Sequence, residues 1–351
     1  MLPRRKFLTA ALSLSAYQIV SGKGFSKTAD PLKLTGKLYP KPLKKGATIG
    51  LIAPGYRFAE ETLTKAKSVL RKMGYNVYCT ERLSKPYGYF SNTDEERATD
   101  LNHMFENKVV DGILCIRGGY GCTRIMHLID YGVIASNPKA LIGFSDVTAL
   151  LNGIHQMTGL ITFHGPVGST LDDGYSQKSL IDIVQKPKEN RVIRNAKLTK
   201  EQLIDAEYER YTINPGEAKG ELCGGSLTLI NALIGTPHEI DFTDKIVCIE
   251  DVEESPYRID RMLTQLIEGK TFKKASGILF GVCKGCNTSN NPNSFTLKEV
   301  ILDRIKPLEI PAAYGFSFGH VEQNFTFPIG MEAYFDADRL KLKIIQKPVT
   351  K

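Results

Sequence analysis

No run of five or six like charges occurs in the 351 residues, although 46 basic and 38 acidic side chains leave a net charge of +8. The excess is scattered, so there is no polybasic tract for nucleic acid, and a carboxylate-bearing substrate fits the sign equally well. No internal repeat and no low-complexity tract is present, which excludes a solenoid or a compositionally disordered chain. The apolar stretch 7–20 is interrupted by Thr, Ser, Tyr and Gln. It is too short and too polar for a stable membrane span, which needs about 20 apolar residues. Cysteine is sparse and odd in number at seven, so at least one thiol is unpaired in a monomer. Cys283 and Cys286 form a single C-x-x-C with no second ligand pair at matching spacing, which argues against zinc. A disulfide between them stays open in an oxidising compartment. Cys79, Cys115 and Cys248 lie in apolar strand-like runs, where a free cysteine packs as a small hydrophobe.

What is present begins with 42% hydrophobic residues, enough to bury a core. Arg4, Arg5 and Lys6 precede the short apolar stretch, and Ser21, Gly22 and Gly24 offer a cleavage zone without a clear A-x-A site. This is the layout of a signal peptide, so residues 1–30 are expected to direct export and the mature chain is expected in the periplasm. Arg4-Arg5-Lys6-Phe7-Leu8 resembles a twin-arginine signal that lacks the usual leading Ser and trailing Lys. A disordered basic tail is the alternative, and a cytoplasmic location follows from it.

From Thr48 the chain alternates short apolar runs with helical periods. Thr48–Ala53 reads as a strand ending at Pro54-Gly55, and Leu63, Ala66, Leu70 and Met73 recur at helical spacing before Gly74. Strands are expected at Asn76–Thr80, Val110–Ile116 and Ala140–Phe144, with a capping box at Thr93 and Glu96. Strand and helix in alternation predict a parallel, Rossmann-like sheet over residues 45–184. Between Gln185 and Glu217 the pattern fails in a stretch rich in Lys, Arg, Glu and Asn, read as an interdomain linker. Residues 218–347 hold a capped helix at Ser226–Ile234, a strand Lys245–Ile249 ending at Glu250, and a helix opened by Ser255-Pro256. Further strands are expected at Gly277–Cys283, Pro311–Phe316, Phe325–Pro328, Glu332–Asp336 and Leu340–Gln346. The second domain is therefore α+β with a curved, barrel-like sheet, and the whole fold is α/β.

Ligands of open α/β sheets bind at the carboxyl ends of the strands. Two segments fall there, Arg117-Gly118-Gly119-Tyr120-Gly121 and Gly143-Phe144-Ser145-Asp146. The first lacks both dinucleotide and P-loop spacing, but its backbone N–H groups suit an oxyanion. Ser145 stands at a sharp strand-to-helix junction, as in a nucleophile elbow, without the trailing glycine of G-x-S-x-G. Ser-Asp at a helix start is also ordinary N-capping. A serine nucleophile needs a base, and only six histidines are available. His103, His127 and His155 lie within helical segments and His238 in a loop, whereas His164 and His320 follow strands. Glu250 opens an acidic cluster with Asp251, Glu253 and Glu254, which by itself reads as a solvated loop.

In combination these segments resemble the LD-carboxypeptidase family, which includes the microcin-immunity peptidases, over about residues 45–346. The resemblance is carried by Ile49-Gly50-Leu51-Ile52-Ala53-Pro54, the Arg117–Gly121 turn, Gly143-Phe144-Ser145-Asp146-Val147-Thr148-Ala149-Leu150 and Thr162-Phe163-His164-Gly165-Pro166. It continues through Leu222-Cys223-Gly224-Gly225-Ser226-Leu227, Ile249-Glu250-Asp251, Pro256-Tyr257-Arg258-Ile259-Asp260-Arg261-Met262-Leu263 and Phe318-Gly319-His320. It implies a nucleophile at Ser145, a triad acid at Glu250 and a base at His320. The backbone N–H of Asp146 and one from Gly118 or Gly119 would face the oxyanion, with the Asp146 side chain structural. Arg117 and Arg258 are candidates for the substrate's terminal carboxylate.

The implied reaction is hydrolysis of the bond between an L-centre and terminal D-alanine in a muropeptide tetrapeptide. No cofactor is implied, and the family suggests a homodimer. Cleavage of a toxic peptide–nucleotide conjugate is the alternative within the same chemistry. An exported muropeptide-binding protein without activity is the alternative outside it.

Overall fold

Short apolar runs become buried strands and helical periods become the layers that cover them. The computed structural model describes residues 36–287 and 291–350, so the expected export signal lies outside the described residues. β1 (Thr48–Ile52), β2 (Asn76–Tyr78), β3 (Gly112–Cys115), β4 (Ala140–Gly143) and β5 (Thr162–His164) pair in parallel. Their spatial order is β5-β4-β3-β1-β2, so chain progression reverses between β1 and β3. A crevice forms at such a reversal, outside the carboxyl ends of the strands.

α1 (Glu60–Lys72), α2 (Asp94–Glu106), α3 (Cys122–Ile125), α4 (Tyr131–Ser136) and α5 (Thr148–Thr158) connect these strands. α1 buries Leu63, Ala66 and Leu70 on one face, with Glu60 and Glu61 in its first turn and Arg71 and Lys72 in its last. That charge order complements the helix dipole. At α2 only half of the expected capping box is made. Thr93 Oγ1 accepts from Glu96 N–H at 3.4 Å, while the Glu96 carboxylate faces Arg82 at 3.5 Å.

The second half contributes α6 (Gly174–Leu180), β6 (Arg191–Ile193), β7 (Tyr211–Asn214), β8 (Glu217–Ser226), α7 (Leu227–Ala232), β9 (Lys245–Glu250) and α8 (Pro256–Glu268). It continues with β10 (Gly277–Gly281), α9 (Leu297–Ile305), β11 (Ala312–Phe316), β12 (Phe327–Ile329), β13 (Glu332–Asp336) and β14 (Lys341–Ile344). Eight of these strands form one mixed sheet in the order β6-β14-β13-β8-β9-β10-β11-β7. β8 to β11 run parallel at its centre, and the flanking strands are antiparallel. The fold is thus a two-domain α/β architecture with a parallel sheet first and a mixed sheet second.

Three features differ from the sequence reading. The stretch 185–217 supplies both edge strands of the second sheet, β6 and β7. Short edge strands need no continuous apolar run, so they leave little periodic signal. β12 returns to the first sheet, antiparallel to β5, with Phe327 opposite His164. Pro328 is tolerated there because β12 is an edge strand. α9, opened by a complete capping box at Thr296 and Glu299, was not foreseen.

Candidate active site

β4 ends at Gly143, where an added Cβ would sit 2.7 Å from Val147 Cγ1, so the chain can turn tightly into the next helix. Two residues on, Ser145 has φ 64. A non-glycine residue in the left-handed region is strained and points to a site that uses the strain. Ser145 is not the N-cap of either helical segment that follows, since Phe144 and Val147 hold those positions, which sets aside the N-cap reading. Instead Ser145 Oγ lies 2.9 Å from His320 Nε2.

Glu250 is the last residue of β9 and is fully buried. Asp251 beside it is buried too, its carboxylate accepting from Thr228 N–H and Oγ1–H at 2.7 and 2.9 Å. The start of the acidic cluster is therefore interior, not a solvated loop. Glu250 Oε2 lies 2.8 Å from His320 Nδ1. Gly319 makes this approach possible, with φ 108 and room for no side chain, since a Cβ would stand 2.7 Å from Glu250 Oε2. A strand of the first sheet thus presents Ser145, and two strands of the second present Glu250 and the turn to His320.

Burial opposes charge on both partners, and each partner overcomes it for the other. Burial pushes the Glu250 carboxyl up, but the charge and hydrogen bond of His320, helped by His164, hold it below the ordinary carboxylate value. Burial pushes His320 down, but the charge and hydrogen bond of Glu250, with Asp251 and Glu253 behind it, raise the imidazole above its ordinary value. Ser145, His320 and Glu250 form the geometry of a nucleophile, a general base and an orienting acid.

The Gly-rich turn after β3 closes over the serine. A Cβ at Gly118 would lie 3.1 Å from Ser145 Oγ and 3.0 Å from the backbone nitrogen of Asp146, so any side chain there would fill the space before them. The Gly118 carbonyl accepts from Tyr56 N–H at 3.1 Å, which turns the Gly119 N–H of the same trans peptide the other way. Gly119, at φ 98, packs against the Tyr56 ring. The Asp146 carboxylate accepts from Cys122 N–H at 2.7 Å and so ties α3 to the serine turn. Its side chain is structural; its backbone N–H is the group beside Ser145.

The two arginines part company. Arg117 is half-buried, donates to Arg57 O at 3.2 Å and lies 5.6 Å from the centre of the Tyr56 ring. It pairs with no carboxylate among the described residues. Arg258 is exposed on α8 and makes its contacts with Glu254 at 3.5 Å and Tyr257 Oη at 3.2 Å. It does not join the three-residue arrangement.

Of the remaining histidines, His155 Nδ1 lies 2.9 Å from Leu160 O, and His103 and His238 lie against Tyr78 and Tyr131. His164 is fully buried behind the site, and burial pushes its imidazole down to about 4. All seven cysteines are free thiols, Cys283 and Cys286 included. A cavity of about 660 Å³ opens on His320, lined among others by Asp205, Glu207, Glu253 and Lys284. A smaller groove of about 610 Å³ along α1 is lined by Glu60, Lys65 and Lys72 and holds no serine–histidine pair. Unforeseen from the sequence was the cluster of Tyr56, Tyr89, Phe90 and Tyr120 beside Gly119. Those rings are brought together from three separate loops.

Comparison with known proteins identifies the family. Residues 49–165 match the family model described as the LD-carboxypeptidase N-terminal domain, and residues 219–335 match the C-terminal domain. A Bacillus subtilis (strain 168) protein named "Probable murein peptide carboxypeptidase" is 38% identical over 84% of this chain and 90% of its own. The murein tetrapeptide carboxypeptidase of Pseudomonas aeruginosa is 29% identical over 84% of this chain and 94% of its own. The crystal structure of an MccF-like protein from Bacillus anthracis superposes with a TM-score of 0.78 at 27% identity, covering 88% of this chain and 99% of that one.

Proposed function

The chain belongs to the LD-carboxypeptidase family of peptidases, and on that footing we propose that it is a serine carboxypeptidase that removes terminal D-alanine from peptidoglycan tetrapeptides. The observation that carries the reading is the hydrogen-bonded line from strained Ser145 through His320 to buried Glu250.

His320 takes the Ser145 proton as Oγ attacks the carbonyl carbon of the third stem residue, and the carbonyl electrons move onto oxygen. Backbone N–H groups of Asp146 and of the Gly118-Gly119 turn receive that oxyanion. The C–N bond then breaks, His320 returns its proton to the departing D-alanine amine, and an acyl-serine remains. Water, deprotonated by His320, attacks the acyl carbon; the bond from that carbon to Ser145 Oγ then breaks, and His320 returns the proton to Oγ as the tripeptide leaves. Glu250 keeps the imidazole in the tautomer with Nε2 free and stabilises the imidazolium without itself taking a proton.

The relative at 38% identity favours murein peptides over a peptide–nucleotide conjugate, and an intact triad favours an enzyme over a binding protein. Incubation with defined L,D-tetrapeptides, followed by mass analysis, tests the reading. Loss of one alanine from the tetrapeptide supports it; an untouched tetrapeptide with a cleaved conjugate replaces it by the immunity activity. We place the enzyme outside the cytoplasmic membrane because of Arg4-Arg5-Lys6-Phe7-Leu8 and the apolar stretch that follows. A mature N-terminus between Gly22 and Asp30 in the native host is expected; an intact Met1 in the soluble cytoplasm would refute export.

A further inference from the structure

We propose that His164 is a positioning residue that holds the second oxygen of Glu250 and thereby sets how firmly Glu250 grips His320; this rests on the triad reading above. His164 ends β5, beside Gly143 of β4 and opposite Phe327 of β12. Its ring stacks on Phe327 at 4.6 Å and meets the edges of Phe144 at 6.0 Å and Phe318 at 5.8 Å. Phe144 also packs on His320, at 4.9 Å, so one ring touches both imidazoles. Gly225 of β8 also approaches the His164 ring, and a Cβ there would come 3.1 Å from His164 Cδ2. Gly225 stands opposite Ile249 in register, and its neighbour Ser226 stands opposite Glu250.

Within this wall of phenylalanines three buried polar atoms find no protein partner: both ring nitrogens of His164 and Oε1 of Glu250. A buried imidazole must place one N–H, and a buried carboxylate oxygen must receive one. No direct hydrogen bond joins them, and one bridging water between the ring and the carboxylate meets both needs. Burial keeps His164 neutral, and Glu250 is the charge that opposes this most. A neutral donor steadies the carboxylate without competing with His320 for its charge. Among the described residues the titratable groups that bear on His164 are Glu250 and His320, while β4, β8 and β12 present Phe144, Gly225 and Phe327. Packing alone is served as well by a phenylalanine, so the polar ring is explained by what it does to Glu250.

The test is His164→Phe, with His164→Asn and His164→Gln to restore a donor. The thermal midpoint of His164→Phe should match or exceed the parent's, with kcat about tenfold lower and KM little changed. Without the donor, the charge of Glu250 falls on His320 alone. The acid limb of kcat/KM and the NMR titration of the His320 ring should therefore both move to higher pH. At least one of the Asn and Gln variants should return both toward the parent. Parental turnover and a parental His320 titration in His164→Phe overturn the assignment. If that variant does not fold, a displaced His320 titration in both Asn and Gln variants overturns it instead. Ser145→Ala in the same assays separates the two claims. If it stays active, the triad reading falls; if it is dead while His164→Phe is parental, the assignment of His164 alone falls.

Discussion

Glu250 has no exposed surface, and its Oε2 lies 2.8 Å from His320 Nδ1, so the His320 imidazole is the chief compensation for a buried carboxylate. That pairing makes the site sensitive to pH and to any change that loosens either partner.

The pH dependence follows from sign. His320 must be neutral to accept the Ser145 proton, and Glu250 raises it above the ordinary 6.5. Thus kcat/KM should fall as pH drops through a midpoint above 6.5, not below it. Glu250→Gln removes the anion, so the acid limb should move to lower pH while kcat falls by about 10³-fold or more. A limb that stays in place in the Gln variant would separate Glu250 from the base. The pH profile of both proteins is the measurement.

Gly118→Ala should leave folding intact but cost about 100-fold in kcat. Its methyl would stand 2.9 Å from Ser145 Cβ, 3.0 Å from the Asp146 nitrogen and 3.1 Å from Ser145 Oγ, in the space of the proposed oxyanion site. Single-turnover kinetics on a tetrapeptide, beside a thermal melt, read the two effects apart. A normal rate in the Ala variant removes the Gly118 turn from the oxyanion site.

Much of this was legible in the sequence because strand ends carry their own punctuation. Ala140–Phe144 before Ser145, and Lys245–Ile249 before Glu250, are apolar runs that stop at polar residues, and both strands appear within a residue of expectation. The distinction between a capping serine and a strained one was not legible, because it resides in φ 64 and in a partner 175 residues away. The edge strands β6 and β7 were hidden for a different reason: half-exposed residues show no apolar run. Nor could any local pattern show that β12 would cross back to cover His164, since that pairing joins segments from opposite halves of the chain.

Arg117, at the end of a strand beside the proposed oxyanion turn, is the first candidate for the substrate carboxylate and Arg258 the second, and their partners keep that order. Arg258 already faces Glu254, whereas Arg117 has only a carbonyl and a ring. A free guanidinium can accept a carboxylate through paired hydrogen bonds. Amidating the terminal D-alanine should therefore slow the parent sharply, and Arg117→Met should treat acid and amide substrates nearly alike. A variant that keeps the parent's full preference for the free acid clears Arg117 of this role.

The most direct measurement is turnover of a defined L,D-tetrapeptide by folded Ser145→Ala, alongside fluorophosphonate labelling of the parent. A triad acts as a unit, so the loss should reach several orders of magnitude, and the label should sit on Ser145. Near-parental release of D-alanine by Ser145→Ala would contradict the serine mechanism outright.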